Sequence, residues 1–267
     1  MSWEDQNKPR HQKIQILKFV AEQGIVSIED INRHFYPDRD NSKAIRVTLY
    51  DMGVGHLRYY SPEVKNGVWY IKDIKHYQHL DFYDANFSYF KVQKPLVHLI
   101  PHYLELNHIR TVIEQDSAMV IQQWLSEPVL RALPPSLRQY YCSAKIPDAI
   151  FYKKNDDDSL KKFFLEYERS LKSPERYVDI FRSYGKREDV QDQNVIYICA
   201  SGIAKKLIAI EKSQARIGML DASGYYFKFL DLENFYRTYR EKKAERQAKQ
   251  EQAVLLPEAK VEVMQTV

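Results

Sequence analysis

Three acidic residues in the second half of the sequence, Asp148, Glu166 and Glu168, are the side chains best suited to catalysis. Asp148 opens one predicted strand, and Glu166 and Glu168 lie two residues apart in the next, so both point to one face. If the strands are antiparallel neighbours, Asp148 approaches this pair. Clustered carboxylates repel one another unless a cation neutralises them, and an all-oxygen site suits Mg²⁺ or Mn²⁺, which would polarise a phosphodiester and activate water. The alternative is a solvated sheet face with incidental acids.

The segments that would position these acids predict a mixed α/β sheet. The predicted order is helix, three strands, helix and strand, and a helical crossover after three sequential strands is typical of such sheets. A further helix and two short strands around Gly224 follow. Glu114 and Glu127 flank the first strand, where each is either an additional metal ligand or a solvated surface residue. The predicted ranges are 94–115, 118–124, 146–152, 162–168, 174–184, 194–200 and 203–215.

The first 75 residues predict three helices followed by a β-hairpin. Apolar positions at helical spacing mark 13–23, and Ser27 stands three residues before Asp30, as in a capping box that begins a second helix. A third helix is predicted over 42–52. The turn that follows contains Asn66-Gly67, a strong hairpin signal. This order is that of a winged helix-turn-helix.

The third predicted helix divides into an apolar face and a face suited to DNA. The four residues on the second face are Lys43, Arg46, Val47 and Tyr50, and Lys65 in the hairpin turn is a fifth candidate. Lysine and arginine bind phosphates or guanine edges, and a valine methyl can contact a thymine methyl. The pattern therefore predicts a recognition helix, the alternative being a small helical domain that contacts only proteins.

Composition limits the class of protein. A net charge of +4 over 267 residues is too small for a protein that binds DNA over its whole surface, so any contact must come from local patches. Cys142 and Cys199 form no metal-type pair and are expected to be free thiols. The polar N-terminus and the lack of a ~20-residue apolar run predict a cytoplasmic protein without a membrane partner.

The predicted organisation has four parts. Residues 1–75 form the DNA-binding domain, 76–95 a linker, 96–232 the α/β domain, and 233–267 a charged helix and tail. The last ~12 residues are expected to be disordered because they lack a periodic apolar face.

Short motifs in the second domain resemble the PD-(D/E)xK nuclease-like fold. Pro147-Asp148 matches the first half of that signature, and Glu166-Tyr167-Glu168 matches the acidic position of the second. Over residues 10–235 the chain resembles the replication-relaxation family and the MobC-type mobilisation relaxases of bacterial plasmids, most closely at 165–173. The resemblance implies nicking or relaxing of double-stranded DNA at a plasmid origin, together with other relaxosome or conjugation proteins.

One position departs from the nuclease signature, which has a lysine where this chain has Glu168. Lys172 or Arg169 would then supply the positive charge, and the catalytic set becomes Asp148, Glu166, Glu168 and Lys172. A tyrosine nucleophile is not favoured, because the histidines lack the spacing of relaxase metal motifs.

Two alternatives to the enzyme remain open at this point. One is a non-catalytic DNA-binding regulator of plasmid replication or transcription, a homodimer held together by a degenerate nuclease-like domain. The other is a protein scaffold, which predicts no salt-dependent DNA binding.

Overall fold

The structure, a computed structural model, describes residues 3–59, 64, 67–81, 85–90, 95–116, 119–142, 145–190, 193–216 and 226–254. Within these ranges the chain forms ten α-helices and two sheets, which confirms the predicted mixed α/β class. No helix in the described part of the chain is long and apolar enough to cross a membrane. The predictions for Lys65, Asn66, Gly224 and the last ~12 residues concern positions outside the described residues.

The N-terminal region consists of three helices and a small antiparallel sheet of order β1-β3-β2. Ser27 and Asp30 form the predicted capping box, with Ser27 Oγ accepting from the Asp30 amide at 3.0 Å and Asp30 Oδ2 accepting from the Ser27 amide at 2.9 Å. The elements are α1 (Trp3–Gln23), β1 (Val26–Ser27), α2 (Ile28–Phe35), α3 (Ser42–Asp51), β2 (Gly55–Leu57) and β3 (Val68–Tyr70).

The rest of the chain contains α4 (Ile74–Asp81), α5 (Ile100–Gln115), β4 (Val120–Ser126), α6 (Glu127–Ala132), α7 (Pro135–Tyr141), β5 (Ala149–Lys154), β6 (Leu160–Glu168), α8 (Pro174–Gly185), β7 (Val195–Cys199), α9 (Ile203–Arg216), β8 (Phe227–Asp231) and α10 (Leu232–Val254). The predicted order of helix, three strands, helix and strand is present as α5, β4, β5, β6, α8 and β7. Two short helices, α6 and α7, interrupt it between β4 and β5. Pro101 lies in the first turn of α5, where its missing N–H is tolerated, so the helix begins there instead of at residue 94.

The larger sheet has the order β4-β5-β6-β7-β8. The first three strands are antiparallel neighbours, and β7 and β8 continue parallel to β6 after the α8 crossover. Ala149 pairs with Leu165. Asp148 therefore lies beside the position of Glu166, as expected if β5 and β6 are antiparallel.

Helices cover both faces of this sheet. On one face, α5 and α10 pack over Phe151, Leu165 and Ile198. On the other, a buried cluster extends from the sheet through α6, α8 and α9 to α1 and α2, with Val20 and Ile31 among its members. The three N-terminal helices and the sheet therefore share one apolar core.

Candidate functional site

Asp148, immediately before β5, is held by groups from two other elements. Its Oδ2 accepts a hydrogen bond from the backbone N–H of Tyr167 in β6 at 2.6 Å, and its Oδ1 lies 3.3 Å from Nε2 of His102 in α5. Burial opposes ionisation, but the His102 hydrogen bond and the charges of His102 and Lys145 hold the pKa of Asp148 below its ordinary value. Asp148 is therefore a carboxylate at neutral pH.

Glu166 is 5% exposed and lies on the sheet face covered by α8. It accepts a hydrogen bond from the Tyr184 hydroxyl at 2.5 Å and forms an ion pair with Lys145. Burial raises the pKa of Glu166, against the attraction of Lys145, and the negative charge of Asp148 adds to the rise. Burial lowers the pKa of Lys145, but the negative charges of Glu166 and Asp148 outweigh burial and raise this pKa above its ordinary value. Lys145 is therefore a stable ammonium beside two acids.

Glu168 is also 5% exposed and is paired with the predicted catalytic residue Lys172. The ammonium of Lys172 lies 5.7 Å from the centre of the Tyr177 ring. The backbone N–H of Lys172 donates to the Tyr177 hydroxyl at 3.1 Å. Each glutamate of β6 thus has its own lysine. Sequence reasoning named Lys172 but missed Lys145, whose only signal is its position three residues before Asp148.

The structure brings Asp148 together with a set of residues that the sequence did not group. His102, Glu127 and Asp148 each offer one ligand atom, and these atoms all lie within 4.8 Å of one another. In the described part of the chain, this is the only group of three or more histidine, cysteine or acidic side chains with that property. The predicted set of Asp148, Glu166 and Glu168 is not such a group.

Glu127 reaches this group because α6 begins where β4 ends, next to the start of β5. Its backbone N–H donates to the Asp148 carbonyl at 2.8 Å. Glu127 Oε1 accepts from Arg131 at 2.6 Å, and Oε2 lies 3.4 Å from the Tyr103 hydroxyl that donates to it. His102 stacks on Tyr167 with ring centres 5.4 Å apart. Burial lowers the pKa of His102, but the Asp148 hydrogen bond and charge outweigh it and raise that pKa above 6.5.

The four predicted DNA contacts on α3 all lie on its exposed face. Val47 and Tyr50 are 54% and 58% exposed, and Lys43 and Arg46 are exposed beside them. The opposite face of the helix is buried in the core. The Tyr50 ring also packs edge-on against Trp69 of β3 at 4.8 Å, so this surface is continuous with the small sheet.

No family model, curated protein or solved structure matches this chain. The geometry of α3 and of the residues around Asp148 is therefore the basis for assigning a function.

Proposed function

We propose that this chain binds double-stranded DNA through α3 and cleaves a phosphodiester bond of that DNA in its sheet domain. The observation that carries the proposal is the exposed face of α3, where Lys43, Arg46, Val47 and Tyr50 lie together. Two cations, a branched apolar side chain and a phenol can contact phosphates, guanine edges and thymine methyl groups. A helix face used only for solubility would not need Val47 and Tyr50 to be more than half exposed.

The elements around α3 support a winged helix-turn-helix. Three helices precede the β2-β3 pair, and α3 is the last of them, which is the position of the recognition helix in such domains. The DNA would be a site at a plasmid origin, as the resemblance to mobilisation and replication-relaxation proteins implies.

Cleavage is supported by the topology and the charges of the sheet domain. The α5-β4-β5-β6-α8-β7 order, with β7 parallel to β6, agrees with a nuclease-like core and places Asp148 beside Glu166. Lys145 and Lys172 hold ammonium groups within this cluster, where they would stabilise negative charge on a phosphate. A bound divalent cation would supply Lewis acidity and activate water.

DNA binding is tested by a salt titration of duplex affinity. Arg46→Ala should weaken binding by roughly 1–3 kcal/mol and relax base preference, and Lys43→Ala should weaken all sequences alike and lower the salt slope by about one. Lys75→Ala is a matched control, because Lys75 is a highly exposed lysine on α4. Unchanged affinity in the Lys43/Arg46 double variant would remove α3 from the DNA contact.

Cleavage is tested on supercoiled origin-containing plasmid with Mg²⁺ or Mn²⁺. Asp148→Asn and Glu166→Gln should abolish nicking and leave the affinity measured above unchanged. A footprint without nicking for the unmodified chain would favour the alternative, a non-catalytic and dimeric DNA-binding regulator. Absence of salt-dependent binding would instead favour a protein scaffold.

A further inference from the structure

We propose that His102, Glu127 and Asp148 bind one divalent transition-metal ion, Mn²⁺ or Zn²⁺. The use of this ion in DNA cleavage rests on the proposed function, whereas its binding does not. The three ligands come from α5, from the first residue of α6 and from the residue before β5. They are a nitrogen and two carboxylate oxygens, a different donor set from the all-oxygen site expected from the sequence.

The spacing of the ligand atoms suits a metal ion after a small contraction. Bonds of about 2.0–2.2 Å allow two ligand atoms to lie at most about 4.4 Å apart. The atoms of this group already lie within 4.8 Å of one another. The hydrogen bond from the Glu127 amide to the Asp148 carbonyl fixes the backbones of two ligands relative to each other. Side-chain rotation of a few tenths of an ångström is then sufficient.

The charges also favour this group over Glu166 and Glu168. Each of those glutamates is ion-paired with a lysine, so a cation there would have to displace an ammonium group. At the proposed site, Asp148 is joined to His102, and a cation would replace the proton between Asp148 Oδ1 and His102 Nε2. The ion enters and the imidazole proton leaves to solvent.

Glu127 can supply a ligand atom without losing its ion pair. Arg131 binds Oε1 at 2.6 and 2.8 Å. The hydrogen bond from Tyr103 to Oε2 is 3.4 Å long and is therefore weak. Oε2 can move to a cation while Arg131 keeps Glu127 in place.

A second observation, independent of the acids, indicates a ligand on this side of Asp148. A small cavity is lined by Gln23, Trp124 and Asp148 among others. Gln23 is 3% exposed, and neither its amide nitrogen nor the Trp124 indole nitrogen has a hydrogen-bond partner among the described residues. Buried N–H groups are rarely left unpaired. The cavity, of about 10 Å³, has room for no more than one water or hydroxide on the cation, to which such N–H groups can donate.

The donor set determines which ion is preferred. Imidazole nitrogen suits Zn²⁺ and other transition metals, whereas Mg²⁺ prefers oxygen ligands alone. We therefore expect Mn²⁺ and Zn²⁺ to bind more tightly than Mg²⁺.

The test is calorimetric titration of the metal-free full chain with Mn²⁺, Zn²⁺ and Mg²⁺ separately. We expect one equivalent of Mn²⁺ or Zn²⁺ and little change in Glu168→Gln, the matched control. His102→Ala and Glu127→Gln each remove a ligand and should lose at least the roughly 10- to 100-fold in affinity that loss of an outer-shell partner costs. Thermal melts without metal show whether each variant is folded, and a metal-induced rise in Tm that only the control retains gives a second measure.

Two results would overturn the site: no binding of either ion, or loss of binding in Glu168→Gln with wild-type binding in His102→Ala. This experiment separates the site from the proposed function. Binding that requires His102 without any nicking would retain the metal site and reject cleavage. Nicking that persists in His102→Ala, when that variant has lost metal binding, would retain cleavage and reject the use of this ion in it.

Discussion

Asn107 in α5 donates its side-chain amide to Asp30 of the α2 capping box at 3.2 Å and to the Ile25 carbonyl at 2.8 Å. Asn107 and Asp30 are both buried. Burial raises the pKa of Asp30, and the bonds from Ser27 and Asn107 oppose this rise. One side chain thus joins the helix that covers the large sheet to the start of α2.

The first prediction follows from this contact. Asn107→Ala removes the donor to the buried Ile25 carbonyl and one of two donors to Asp30 Oδ2, which keeps the Ser27 amide. We expect a loss of about 1–3 kcal/mol in the free energy of unfolding. Urea denaturation measures it, with Asn234→Ala on the exposed surface of α10 as the matched control. Equal midpoints for the two variants would show that Asn107 does not stabilise the join.

The second prediction concerns the buried Arg110, which is bonded to Glu22 at 2.9 Å and to Glu114 at 2.8 Å. Burial alone would raise the pKa of Glu114, but Arg110 and His34 outweigh burial and lower this pKa from 4.5 to about 2. A carboxyl with a lowered pKa stabilises the fold above pH 4.5, and this contribution disappears as the pH falls from 4.5 to about 2.

Glu114→Gln should therefore lower the free energy of unfolding by about 3 kcal/mol at pH 7 and by progressively less in acid. Denaturation at several pH values measures this. Glu241→Gln, in the exposed pair with Arg237, is the control and should change stability little. A pH-independent difference for Glu114→Gln would contradict the electrostatic explanation.

The third prediction concerns acid and the attachment of α10. His108 of α5 stacks on Tyr236 of α10 with ring centres 4.3 Å apart, and burial lowers the pKa of His108 from 6.5 to about 4. Between pH 6.5 and about 4, His108 is protonated in the unfolded chain but stays neutral in the folded chain. The free energy of unfolding therefore declines as the pH falls through this range. His108→Gln should reduce this decline, and His98→Gln on the exposed surface should not.

The fourth prediction concerns Gly67 at the start of the second hairpin strand. Its φ is +74°, and an added Cβ would lie 2.5 Å from His56 Nε2 and 2.7 Å from the Leu57 carbonyl oxygen. Gly67→Ala should destabilise the protein by at least about 1 kcal/mol, because both the backbone conformation and the space require glycine. Gly185→Ala, with nothing within 4 Å, is the control. Equal melting temperatures would contradict the argument.

The fifth prediction concerns the end of the chain. Tyr236 and Arg246 of α10 are bonded to Glu105 and Asp116, each at 2.5 Å, so α10 is attached to α5 and the residue after it. Removal of residues 256–267 should leave Tm and DNA affinity unchanged, because that segment lacks a periodic apolar face. Removal from residue 232 onwards should lower Tm sharply. A large loss from the short truncation would show that the tail packs on the protein.

Local patterns predicted the strands of the sheet and the common face of Glu166 and Glu168, because alternation along a strand fixes side-chain direction. The capping box was also predictable, because Ser27 and Asp30 are only three residues apart. In contrast, β1 has two residues, too few for a periodic signal. The short helices α6 and α7 have prolines in their first turns, and proline is typical of loops as well as of helix starts, so it does not identify either helix.

The neighbours of the acids were much less predictable. His102 and Asp148 are 46 residues apart, and Lys145 and Glu166 are 21 apart. Such contacts depend on how α5 crosses the sheet and on how the chain returns to β5, which no local spacing encodes. Sequence reasoning therefore identified Asp148 but not the histidine and the lysine beside it.

The core shared by the N-terminal helices and the sheet bears on the distance between a recognised DNA sequence and the cleaved bond. Because α1, α2 and α3 share that core with the sheet, and Asn107 bonds α5 to Ile25 and Asp30, the surface of α3 and the carboxylate of Asp148 are joined through packed elements. Under the proposed function, the cut would then fall at a fixed number of base pairs from the recognised sequence. Each base pair inserted between the recognised sequence and the scissile bond would move that bond about 3.4 Å further from Asp148. A protein with its two domains on a flexible linker would tolerate such an insertion.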